Sequence, residues 1–73
     1  MPLRPMSSRE VRQKLEALGF IRIAQRGSHI KFARSTESGR RTVIVPDHKK
    51  IAIGTIRSII RQAGITISEF ENS

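Results

Sequence analysis

Apolar positions along the chain change period several times, and each change marks an element. Ser7 followed three residues later by Glu10 has the form of a capping box. Val11, Leu15 and Leu18 then recur at i, i+4 and i+7 on one stripe, which predicts a helix that Gly19 stops. Over residues 20–26 the pattern alternates, with Ile21 and Ile23 on one side and Arg22, Ala24 and Arg26 on the other, the period of a half-buried strand. Gly27-Ser28 reads as a two-residue type II′ hairpin loop, because that turn needs positive φ at its first central position. A second strand over residues 29–34 puts Ile30 and Phe32 on one face and His29, Lys31 and Ala33 on the other. The short loop sets the register: Arg26 opposite His29, Ala24 opposite Lys31, Ile23 opposite Phe32 and Arg22 opposite Ala33. Ile21, Ile23, Ile30 and Phe32 are then expected to pack against helices, while Arg22, Arg26, His29 and Lys31 stand on an open face.

Residues 35–39 read as a polar turn and residues 40–45 as a third strand ended by Pro46. The inward parity of Thr42-Val43-Ile44-Val45 stays undecided. A basic loop over residues 47–53 leads to Gly54-Thr55, where a second helix starts with Ile56, Ile59, Ile60 and Ala63 as its core stripe and Gly64 as its stop. Thr66 and Glu69 repeat the capping-box pattern around a last short turn whose Phe70 is expected on the core. Residues 1–6, with Pro2 and Pro5 and no periodicity, read as a loose tail ahead of one domain over residues 7–70. The expected class is α+β in the order α-β-β-β-α, a three-stranded antiparallel sheet with helices on one face. That is the architecture of double-stranded-RNA-binding domains, though fold alone does not give function.

Charge sharpens this picture. The chain has 73 residues and a formal charge of +8, and residues 20–61 hold ten of its Lys and Arg against only Glu37 and Asp47. A field of that sign and concentration attracts polyanions, which points to nucleic acid, an anionic membrane or an acidic protein. There is no cysteine, so disulfides and thiolate metal sites are excluded. No apolar run is long enough for a signal segment or a membrane span, and the expectation is a soluble, cytoplasmic protein without membrane association.

Candidate chemistry centres on His29, directly after the tight turn and between Arg26 and Lys31 on the basic face. RNA carries its own nucleophile, the 2′-hydroxyl, so cleaving it requires only a proton acceptor, a proton donor and cations around the phosphate. Position alone does not separate this role from that of an ordinary surface histidine. The acidic residues are scattered, which argues against a two-metal nuclease, and no nucleophile elbow is present. No metal or other cofactor is expected. Arg57 and Arg61 stack at i, i+4 on the second helix, a like-charge pair that hints at an anionic partner. His48, with Lys49 and Lys50 beside it, lies in the loop after Pro46 and is either solvated or a secondary contributor. Gly54-Thr55 offers backbone N–H groups to a phosphate or serves as a plain cap.

At these residues the chain resembles the HicA family of toxin mRNA interferases, the small partners of HicB antitoxins. The resemblance covers about residues 8–70. It rests on the helix ending Leu18-Gly19-Phe20, on Gln25-Arg26-Gly27-Ser28-His29, on Thr42-Val43 with Val45-Pro46-Asp47-His48, and on Gly54-Thr55-Ile56-Arg57 continuing to Ile65. It implies a double-stranded-RNA-binding-like fold, a histidine-dependent ribonuclease that works without a metal, and an antitoxin that blocks the site. The family's catalytic histidine maps onto His29 and its motif glycine onto Gly27. Family members vary in the loop around residues 49–53, which leaves Lys49 and Lys50 without an implied role.

The leading expectation is therefore an endoribonuclease toxin cleaving mRNA, with His29 as general acid or base. Arg22, Arg26, Gly27, Ser28, Lys31, Arg57 and Arg61 are its candidate RNA contacts. The rivals are a non-catalytic RNA-binding module on the same face and a protein-interaction domain whose charge serves an acidic partner.

Overall fold

The computed structural model describes residues 3–73. Helix α1 (Ser8–Ala17), strands β1 (Ile21–Arg26), β2 (His29–Thr36) and β3 (Gly39–Pro46), and helices α2 (Ile53–Ala63) and α3 (Ile67–Glu71) follow in that order. The strands form one antiparallel sheet in the order β1-β2-β3. The expected α+β class and α-β-β-β-α order are present, with the last turn closing into α3.

Local chemistry explains most element ends. The Ser7 hydroxyl accepts from the Glu10 N–H at 3.1 Å and caps α1, while the Glu10 carboxylate pairs with Arg4 instead of completing the box. Gly19, at φ +95°, ends that helix and turns Phe20 into the core, where it is 2% exposed. In α3 both halves of the Thr66–Glu69 box are formed and Phe70 is fully buried. Helix α2 begins at Ile53 after Ala52, which offers no side-chain cap, so Gly54-Thr55 lies inside the first turn rather than at its cap. Gly64, at φ +70°, closes it.

The core lies between one sheet face and the helices. Ile30 and Phe32 pair with Val45 and Val43, and these four meet Val11 and Leu15 of α1, the α2 stripe of Ile56, Ile59, Ile60 and Ala63, and Phe70. Pairing thus settles the third strand: Val43 and Val45 point inward, while Thr42 and Ile44 do not. The turn expected over residues 35–39 tightens to Glu37 and Ser38, because the strands extend to Thr36 and Gly39.

Three expectations are corrected. Ile21 and Ile23 are not core residues; they are 68% and 42% exposed. The register holds at Arg26–His29 and Ala24–Lys31 but then slips by one at a bulge, so that Arg22 pairs with Phe32, Ile21 with Ala33, and Ile23 has no partner. The helices contact chiefly β3, and β1 is an edge strand exposed along its whole length. The loose tail is also shorter at its inner end. Met6 is buried and exchanges backbone hydrogen bonds with Ile51, at 3.2 and 2.7 Å. Met1 and Pro2 of that tail lie outside the described residues.

Candidate nucleic-acid interface

The β1–β2 turn is built by one backbone requirement. Gly27 has φ +60°, and among the described residues only glycines take positive φ, so Ser28 stays at negative φ. That matches the type II′ geometry expected from Gly first. Gln25 steadies the turn by donating from Nε2 to the Gly27 carbonyl at 3.1 Å. The Ser28 carbonyl accepts from the Asp47 N–H at 2.6 Å, tying the turn to the loop that follows β3.

His29 opens β2 at this braced point and is exposed. It sits across from Arg26 on β1 and Pro46 on β3, and the next row on the same face is Ala24, Lys31 and Ile44. Arg26, His29 and Lys31 therefore share the open face, as expected. Among the described residues their side chains have no hydrogen-bond or ion-pair partner, so two cations and an imidazole stand free toward solvent. A third row, Ile21, Ala33 and Thr42, continues the face, on which Ile21 and Ile44 are the exposed large apolar side chains.

Arg22 does not join them. The bulge moves it into register with Phe32, on the helix-side row, where it donates to the Gln25 side chain. Arg57 and Arg61 are exposed on α2, whose buried stripe faces the opposite side of the sheet from His29. They form no part of the His29 cluster. His48, Lys49 and Lys50 are exposed in the loop, and the His48 carbonyl accepts from the Ser8 N–H at 3.0 Å. That bond brings the loop against the start of α1, where Arg9, Arg12 and Lys49 border a concavity of about 320 Å³.

Arg9 and Arg12, which border this concavity, were not singled out in the sequence. The available signal was electrostatic: two arginines in the first turns of a helix oppose the positive end of its dipole, an arrangement that an anionic ligand would relieve. Among the described residues no three His, Asp or Glu side chains come together as a set able to hold a metal ion. No helix of those residues is long and apolar enough to cross a membrane.

The family model described as HicA toxin of bacterial toxin-antitoxin matches residues 8–65. Among curated proteins, none matches the chain. The matched segment holds α1, the whole sheet and α2, including the Gly27–His29 turn and the basic loop. The chain therefore belongs to the HicA family, the toxins of bacterial toxin–antitoxin systems.

Proposed function

We propose that this toxin is a cytoplasmic endoribonuclease that cleaves mRNA at the open sheet face, using His29 as general base and acid and no metal ion. The observation that carries the reading is an exposed His29, without a side-chain partner among the described residues, set directly after a braced tight turn and flanked on its own face by Arg26 and Lys31. In the reaction, the imidazole takes the proton of a ribose 2′-hydroxyl as its oxygen attacks the adjacent phosphorus. The bond to the 5′-oxygen breaks, and that oxygen receives the proton, leaving a 2′,3′-cyclic phosphate and a 5′-hydroxyl. Arg26 and Lys31 stabilise the charge that builds on the phosphate oxygens. Gly27 and Ser28 hold the turn, whereas Arg22, Arg57 and Arg61 stand apart from the cleavage cluster.

A toxin of this family has an antitoxin partner, and we assign it to the HicB type covering the same face. Ile21 and Ile44 support that placement, since they are 68% and 38% exposed on the open face, and apolar side chains beside a functional site suit a partner's cover. One observation favours the rival, a purely binding face: among the described residues, no neighbouring side chain orients the imidazole by a hydrogen bond.

His29→Ala separates the two. The variant should keep the wild-type circular dichroism and a melting temperature within a few degrees, because surface changes typically cost under about 0.5 kcal/mol. It should still bind RNA through Arg26 and Lys31 while cleavage falls by about 10²-fold or more. Normal cleavage by this variant sinks the catalytic assignment, and loss of the fold makes His29 structural.

A further inference from the structure

We propose that the N-terminal end of α1 is a second oxyanion subsite, formed by Ser8, Arg9, Arg12 and Lys49, which holds a neighbouring phosphodiester of the RNA whose scissile phosphate lies at His29; it rests on the ribonuclease reading above.

Three observations meet there. The first is an unmet hydrogen-bonding need. Ser8 is among the residues that line the concavity but is only 2% exposed, and its Oγ is buried with no hydrogen-bond partner among the described residues. Buried hydroxyls are nearly always satisfied, so an orphan in a residue that borders an open concavity points to a ligand atom that completes it. The second is the state of the helix amides. The Ser8 N–H donates to the His48 carbonyl, the Glu10 N–H to the Ser7 hydroxyl and the Val11 N–H to the Ser7 carbonyl. Among the described residues, the Arg9 N–H is the one donor of that turn left over, and it lies at the positive end of the helix.

The third is charge. Arg9, Arg12 and Lys49 line the concavity against a single carboxylate, Asp47, which reaches Arg12 only at 3.8 Å with both side chains partly exposed. Three cations beside a helix N-terminus repel one another and the dipole alike, and an entering phosphate oxygen relieves both. The place also fits. Asp47 hydrogen-bonds to the Ser28 carbonyl, one residue before His29, so the subsite abuts the turn that presents the imidazole. An RNA strand lying on the open face would run past this end of the sheet.

The test has two arms. In the first, inorganic phosphate is titrated into the whole chain and backbone amide shifts are followed by NMR at constant ionic strength. Saturable shifts are expected at Ser8, Arg9 and Lys49. Ser8→Ala should weaken this binding about tenfold, the scale of one hydrogen bond to a charged group, without lowering the melting temperature, since the hydroxyl has no partner to lose. A hydroxyl with a structural role would instead lower it. Absence of saturable shifts, or an undiminished response in Ser8→Ala, overturns the subsite. In the second arm, His29→Ala supplies a non-cleaving chain for binding to a short single-stranded RNA. Adding Arg9→Gln and Arg12→Gln should flatten the salt dependence by roughly 0.7 log units per log unit of salt for each phosphate that is no longer neutralised. An unchanged slope alongside saturable phosphate binding would mean that the site takes free phosphate, and would overturn its assignment to RNA. If the wild-type chain cleaves no RNA while the phosphate arm succeeds, the ribonuclease reading fails and the anion site stands.

Discussion

Gly27 shows how much a single residue can decide. A Cβ added there would meet no atom within 4 Å, so space does not require glycine; the backbone does, at φ +60°. An L-residue held in left-handed conformation costs about 1–2 kcal/mol. Gly27→Ala should accordingly lower the melting temperature by several degrees, since about 1 kcal/mol shifts a domain of this size by roughly 4–8 °C. Because His29 begins the next strand, cleavage should fall by more than the loss of folded protein accounts for. A scanning thermal melt beside an activity assay on the folded fraction checks both. Gly64 differs: at φ +70° its added Cβ would also lie 2.6 Å from Arg41 Nε. That atom belongs to the end of a flexible side chain, which can swing away.

Strand β1 carries the clearest lesson among the elements. Alternation predicted equal burial for Ile21 and Ile30, yet Ile30 is 1% exposed beneath the helices and Ile21 lies on an uncovered edge strand beyond a bulge. Ile30→Ala should therefore cost about 2–5 kcal/mol and Ile21→Ala under about 0.5 kcal/mol, as measured by denaturant unfolding. An equal cost for the two would contradict the bulged register of β1 on β2. At the other end of the chain, α3 has an acid-sensitive cap. The Thr66 backbone N–H, at 2.8 Å, and then the Thr66 hydroxyl hold the Glu69 carboxyl below its ordinary value. A depressed carboxyl stabilises the fold at pH values above its unfolded pKa, and that contribution is lost as pH falls through the lower folded value. The Thr66 amide resonance should then titrate with a midpoint below the ordinary glutamate value, and Glu69→Gln should abolish the transition.

For the whole molecule, charge and size set the behaviour. A chain of 73 residues with a formal charge of +8 has a small core and a strong long-range field. RNA affinity should fall steeply with salt, by roughly 0.7 log units per log unit for each phosphate neutralised on a single strand. A flat response would remove the electrostatic case. The carboxylates do not gather into a set able to hold a metal among the described residues, so cleavage should persist in excess chelator. Loss of activity with chelator and its return with Mg²⁺ would require a different mechanism.

Legible in the sequence alone were the two long helices, the Gly27-Ser28 turn, the position of His29 beside Arg26 and Lys31, and the family. All but the last rest on neighbours a few residues apart, where helix caps, turn dihedrals and a two-residue loop act locally, while the family rests on motifs spread along the chain. Tertiary structure decided the rest. Which parity of β3 points inward followed from pairing with Ile30 and Phe32. That Ile21 and Ile23 are exposed followed from which strands the helices cover, and a bulge took Arg22 off the basic face. The concavity at α1 exists only because residues forty positions apart meet there, Ser8 with His48. Periodicity reports which side chains are apolar and how they alternate, but coverage by a distant element decides which of them leave water.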